Sequence, residues 1–185
     1  MTTVLETERL VLRRFTSDDV DLLVELDSDP SVMHFITGGR TTPRREIEEE
    51  LLPAFHRHYA RWPAWGFFAT HERASGTFLG WFHLRPDDGD LDDEVELGYR
   101  LRRDAWGKGY ATEGARALVD YAFDRGARRV YAGTMVVNVA SRRVMEKAGL
   151  RFIRTFHQEW PYRIEGDEKG DVEYALLRAE WEALR

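Results

Sequence analysis

The chain has 185 residues, 43% of them hydrophobic and 32% charged, with a formal net charge of -6 and no cysteine. That length and balance predict one domain spanning 1–185 with a sizeable core. They exclude a disulfide framework, a cysteine-based zinc site and an acyl-cysteine relay, and the acidic balance argues against a nucleic-acid partner.

No apolar run approaches the ~20 residues that a bilayer requires, so no membrane partner is expected. The opening MTTVLETERL has no basic stretch followed by an apolar one, which makes the cytoplasm the expected location. TERLVLRRF sets Leu10 and Leu12 against Arg9, Val11 and Arg13 and predicts a first strand. Asp18 and Asp19 open a helix that stops near DSDP, where Pro30 punctuates the chain. TTPRREIEEELLPAFHRHYARW predicts a second helix, with Thr42 as N-cap and Pro43 at its first position. Pro53 is expected to kink or interrupt it. WGFFATHERASGTFLGWFHL reads as two aromatic-rich strands about a turn at Ser75 and Gly76.

The charge is then uneven. RPDDGDLDDEVE is strongly acidic and RLRRDAWGK mostly basic, a juxtaposition that suits either a solvated hairpin or the handling of a cation and an anion nearby. EVELGYRL predicts a fourth strand, with Val95, Leu97, Tyr99 and Leu101 on one face and Glu94, Glu96 and Arg100 on the other. From Gly109 onward, Ala111, Ala115, Leu118, Val119, Ala122 and Phe123 follow helical spacing until Gly126. RRVYAGTMVV is strand-like, and NVASRRVMEKAGL is a short helix capped by Asn138 or Ser141 and closed by Gly149. RFIRTFHQEW and DVEYALL are closing strands. This order predicts an α/β (α+β) fold with a mixed, mostly antiparallel sheet of about seven strands flanked by helices.

The stretch RRDAWGKGYATEGARALVDYA places Gly107, Lys108 and Gly109 between a strand and a helix. Such a junction offers free backbone N–H groups and the positive end of a helix dipole to a phosphate. A Walker A loop fails because the lysine lies between the glycines, and a dinucleotide fingerprint fails because position 112 is Thr. A coenzyme A pyrophosphate and a simple tight turn both remain open on the glycines alone.

Four stretches in order, TERLVLRRFTSDD, GTFLGWFHL, ELGYRLRRDAWGKGYATEGARAL and NVASRRVMEKAGLRF, cover about residues 7 to 156. Together they resemble the GNAT superfamily of acetyl-CoA-dependent N-acetyltransferases, and within it the branch of ribosomal-protein N-terminal acetyltransferases (RimJ/RimL). The resemblance implies a GNAT fold whose fourth and fifth predicted strands splay apart, with acetyl-CoA as cosubstrate and no metal. It implies that the amides of Trp106, Gly107, Lys108, Gly109, Tyr110, Ala111 and Thr112 cradle the pyrophosphate. Tyr99 and Leu101 would pair with the pantetheine arm, and backbone N–H groups from Tyr99 to Leu101 would hold the oxyanion. Asp104 stands where the family has Gln or Arg, so Arg102, Arg103 and Lys108 are the nearby positive charges.

For the chemistry, Glu96 is the expected base, acting through water, with Glu94 a second candidate on the same face. The tyrosine that many GNAT enzymes carry in the short helix is Met145 here. Ser141 is the substitute proton donor that the resemblance implies, with Asn138 bonding the cofactor arm; both also suit plain helix caps. The acceptor would be a small-molecule amine or a protein N-terminus, attacked directly, and a homodimer is common among similar proteins. The alternative is a non-catalytic acyl-CoA-binding sensor. His56 and His58 point to different helix faces, and His34, His71, His83 and His157 show no ligand spacing. Trp62, Trp65, Trp81 and Trp160 read as core or pocket wall, with YARWPAWGFF framing the acceptor. Asp87, Asp88, Asp90, Asp92 and Asp93 would attract a cationic amine.

Overall fold

The computed structural model describes residues 3–86, 93–183 and 185. Its centre is an eight-stranded sheet in the order β1-β2-β3-β4-β5-β6-β8-β7. The strands are β1 (Thr3–Glu6), β2 (Leu10–Arg14), β3 (Gly66–Glu72), β4 (Phe78–Pro86), β5 (Glu94–Leu101), β6 (Arg129–Met135), β7 (Arg151–Phe156) and β8 (Asp171–Leu177). All neighbours are antiparallel except β5 and β6, which run parallel after a crossover through helix α5 (Tyr110–Asp124). The strand missing from the sequence reading is β1; Val4 and Leu5 pack on the core, but four residues are too few for a visible alternation.

Two cores form because alternate residues of each strand face opposite sides. Leu97, Leu101, Phe82, Val130 and Tyr174 join Ala115, Leu118 and Val119 of α5 on one face. Trp81, Ala69 and Phe78 join Leu23, Leu26, Ile47 and Phe55 on the other, beneath α1 (Val20–Asp27), α2 (Pro30–Thr37) and α4 (Leu52–Arg61). The predicted division of β5 is therefore present: Val95, Leu97 and Leu101 face α5, whereas Arg100 turns to Asp27 of α1 at 2.6 Å.

Local expectations shift where side chains find better partners. Pro30 opens α2 rather than merely ending a helix, with Asp29 as its N-cap accepting from Ser31 N–H at 2.8 Å. Thr42 does not cap: α3 (Arg44–Glu46) has Pro43 at its N-cap, and the Thr42 hydroxyl donates to buried Asp27 at 2.9 Å. The interruption expected at Pro53 comes just ahead of it: a π turn over Ile47–Leu51 passes the chain from α3 into α4 and leaves Pro53 in the first turn of α4.

The parallel pair β5–β6 is short. Glu94, Val95 and Glu96 pair with Arg129, Val130 and Tyr131, and the pairing stops there. Beyond Glu96 the two strands splay, which is the gap expected between the fourth and fifth predicted strands.

Candidate active site

The glycine loop lies where β5 runs out. Gly107 and Gly109 adopt φ of 72° and 85°, the left-handed region that a side chain strains. Gly109 is the N-cap of α5, and no side chain caps that helix end. Glu113 N–H donates back to Gly109 at 3.0 Å, so the N–H groups of Tyr110, Ala111 and Thr112 lack intrahelical partners. A Cβ placed on Gly107 would meet nothing within 4 Å. Open space, uncapped N–H groups and a helix dipole fit a diphosphate ester.

A residue that sequence reasoning missed holds this loop. Arg9, in the bend just before β2, donates to the Lys108 carbonyl at 2.9 Å and to Glu113 at 2.6 Å, and its guanidinium sits 4.7 Å over the Tyr110 ring. Thr7 adds a 2.6 Å bond to Glu113, and Tyr110 donates to Glu72. Thr7 and Arg9 lie about a hundred positions from Glu113 in the chain, so only the packing of α5 against the start of β2 joins them. Lys108 and Arg103 are exposed beside the loop. Arg102 points elsewhere, to Glu25 at 2.8 Å and Asp104 at 3.4 Å, because those carboxylates lie nearer than the loop. Glu25, Ser28, Asp29, Arg102 and Asp104 line a cleft of about 600 Å³ that adjoins the start of the loop.

The gap supplies free backbone. Arg102 N–H donates to Leu79 of β4 at 2.8 Å, so alternation turns the N–H groups of Tyr99 and Leu101 away from β4 and toward the gap. The Leu101 carbonyl meets the Trp106 indole N–H at 2.8 Å, which fixes the half-exposed Trp106 at the gap's mouth.

The two faces of β5 carry two pairs of proton-handling groups. Toward α5 and α6 (Val139–Lys147), the Tyr99 hydroxyl lies 2.9 Å from Ser141 Oγ and donates to the Ser141 carbonyl at 3.0 Å. Burial pushes the Tyr99 phenol up, so it stays protonated. A tyrosine from β5, rather than one at Met145, thus lies beside Ser141, a placement that EVELGYRL did not reveal. Asn138 caps α6, accepting from Ser141 N–H at 3.2 Å and donating to Thr134 at 3.1 Å. Toward α1 and α4, Glu96 meets Arg85 at 2.6 Å and His83 at 3.5 Å. Burial raises the Glu96 carboxyl, but His83 and Arg85 outweigh it and bring it down to about 2. Glu94, in contrast, is tied into ion pairs with Arg128 and Arg129 at the closed end.

Across the gap, Asp171 begins β8 on the same face as Glu96. It is 2% exposed, its Oδ2 accepts from the Trp160 indole at 3.3 Å, and burial pushes its carboxyl up. Of the acidic cluster, Asp93 bonds Arg128 at 3.2 Å, while Asp87, Asp88, Asp90 and Asp92 lie outside the described residues. Among the described residues no group of three or more histidines and carboxylates suits a metal ion, and no helix is long and apolar enough to cross a membrane.

Known proteins share this architecture. The profile of the acetyltransferase (GNAT) domain matches residues 9–151. An FsC-acetyl coenzyme A-N(2)-transacetylase of Aspergillus fumigatus is 35% identical over 184 residues, 96% of this chain and 77% of its own. A GNAT-family acetyltransferase from Bacillus anthracis superposes with a TM-score of 0.78 at 24% identity, covering 95% of this chain and 98% of its own. RimL, a ribosomal alpha-N-protein acetyltransferase in complex with coenzyme A, superposes with a TM-score of 0.79 at 18% identity, covering 95% and 98%. The chain belongs to the GNAT family of acetyltransferases, enzymes whose cosubstrate is acetyl-CoA.

Proposed function

We propose that this protein transfers the acetyl group of acetyl-CoA directly to a primary amine, either a small molecule or a protein N-terminus. The observation that carries the reading is the gap beyond Glu96, with a proton-accepting group on one face and a hydroxyl pair on the other. Acetyl-CoA supplies an activated acyl thioester. The amides of residues 106–112 hold its diphosphate, with Arg103 and Lys108 adding charge, and the exposed edge at Tyr99 and Leu101 receives its amide arm. An N–H at that edge stabilises the carbonyl oxygen. Ser141 and Tyr99 return a proton to the departing sulfur. Asn138, besides capping α6, lies beside Ser141 and bonds the cofactor arm. Glu96 is where the amine's proton is drawn.

The amine is a cation before it reacts, with a pKa near ~8 for an α-amino group and ~10.4 for a lysine. Carboxylates on the sheet face that carries Glu96, Glu96 itself and Asp171 of β8, favour such an acceptor. By name, one relative is an N(2)-transacetylase and another a ribosomal alpha-N-protein acetyltransferase. The test is release of coenzyme A thiol from acetyl-CoA against a panel of polyamines, aminoglycosides, amino-acid derivatives and N-terminal peptides. Turnover with a primary amine is the expected result. Tight binding of acetyl-CoA with no turnover would favour the sensor reading.

A further inference from the structure

His83 is a buried histidine that the chemistry so far does not use. It sits on β4 opposite Gly98 of β5, 9% exposed, stacked on Trp81 at 5.7 Å and edge-on to Phe67 at 5.4 Å. Among the described residues neither ring nitrogen makes a close hydrogen bond, the nearest polar partner being Glu96 at 3.5 Å from Nε2. A histidine kept only for packing would satisfy at least one of them, because an unpaired buried polar atom carries a desolvation cost.

The ring's position depends on its neighbour. A Cβ on Gly98 would lie 2.3 Å from His83 Cε1, 2.5 Å from Nε2 and 3.0 Å from Nδ1. The imidazole therefore lies across β5, over the strand whose far edge opens into the gap, and only a glycine at 98 permits it. Nε2 faces Glu96 at 3.5 Å, and Arg85 pins the same carboxylate at 2.6 Å. That leaves Nδ1 as the nitrogen with nothing to bond.

We infer that His83, oriented by Glu96 across Gly98, takes the proton from the acceptor amine. The inference rests on the acyl-transfer reading and changes only which atom receives the proton. The carboxylate favours the tautomer with hydrogen on Nε2 and leaves the Nδ1 lone pair as acceptor. The ammonium first releases one proton to solvent, and the neutral amine nitrogen then bonds to the acetyl carbon as the carbon–sulfur bond breaks. The nitrogen's proton passes to Nδ1, the sulfur gains a proton from the Tyr99–Ser141 pair, and solvent restores both groups. Glu96 becomes a positioning residue that also balances the imidazolium.

The charged groups around the ring set its titration. Glu96 raises the imidazole, while burial first, then Arg85 and Arg100, lower it; the result lies below the ordinary histidine value. Arg100 is itself paired with Asp27 of α1, and on the α4 side the ring is screened by Phe67, against which His58 stands edge-on at 5.5 Å. His83 is thus neutral at pH 7 and ready to accept.

Two measurements test this. The first is a pH titration of the histidine side-chain nitrogens by NMR, with no ligand bound. His83 should titrate below the free-histidine value, lower still in Glu96→Gln, and move back toward the free value in Gly98→Ala, where the ring is displaced. A His83 titration indifferent to Glu96→Gln overturns the pairing whatever the acceptor is. The second is kinetic. His83→Gln should lower kcat about 100-fold, leave the Kd for acetyl-CoA unchanged and remove the acid limb of kcat/KM; Gly98→Ala should do the same with His83 still present. A His83→Gln enzyme within threefold of wild type, or one that keeps the limb, overturns the inference. If wild type acetylates no amine, the acyl-transfer reading has failed, and the titration still decides the pairing.

Discussion

The two lips of the gap are made in opposite ways. From Trp106 to Thr112 a run of consecutive residues offers main-chain nitrogens as the proposed diphosphate site, and its requirements are two left-handed glycines and an uncapped helix end. The other lip is made of side chains from two strands, His83, Arg85, Glu96 and the vacancy at Gly98. A main-chain site tolerates changes of side chain but not of backbone dihedral. A side-chain site behaves in reverse: its backbone is ordinary extended strand and its chemistry disappears with one atom.

The contrast can be broken most sharply at Gly109. Gly109→Asp adds backbone strain and a carboxylate where the diphosphate is expected, and should weaken acetyl-CoA binding more than 100-fold by calorimetry. Lys108→Ala between the glycines should cost far less; equal losses would mean that side-chain charge, not main chain, holds the cofactor. Next in size is the hydroxyl pair. Tyr99→Phe combined with Ser141→Ala should lower kcat roughly 100-fold with the acetyl-CoA Kd unchanged. A change in Kd alone would assign the pair to binding.

Arg9 sharpens the comparison from outside both lips. It clamps the loop through the Lys108 carbonyl and Glu113, so Arg9→Ala should weaken acetyl-CoA binding about tenfold, ~1.4 kcal/mol, while kcat at saturation stays near wild type. The smallest effect is on acid stability. The Glu96 carboxyl titrates at about 2 when folded, below its ordinary value of 4.5. Its contribution to stability is therefore full above about pH 4.5 and is lost as the pH falls toward 2. The stability gap between wild type and Glu96→Gln should narrow over that window in denaturation experiments. A constant gap would mean that Arg85 and His83 do not hold the charge.

Legibility followed the same division. The loop and the helix behind it could be read because glycine spacing and apolar periodicity are local, and the alternation in EVELGYRL correctly sorted Glu96 from Tyr99. The short β1, the π turn ahead of Pro53 and the pairing of Thr42 with Asp27 were not readable, since each depends on what a distant segment offers. His83 read as one of several histidines without ligand spacing. Its partner Glu96 is thirteen positions away and its room comes from Gly98, and no one-dimensional pattern joins those three.

By itself the sequence determined most of the order of elements, because glycine positions, helix starts and strand alternation are properties of neighbouring residues, and its resemblance to the GNAT superfamily pointed to acetyl-CoA. Tertiary structure alone decided where β5 and β6 part, which tyrosine meets Ser141, and that Arg9 grips the loop. Those contacts depend on sheet register and on the meeting of strands far apart in the chain, where one residue's absent side chain becomes another's space.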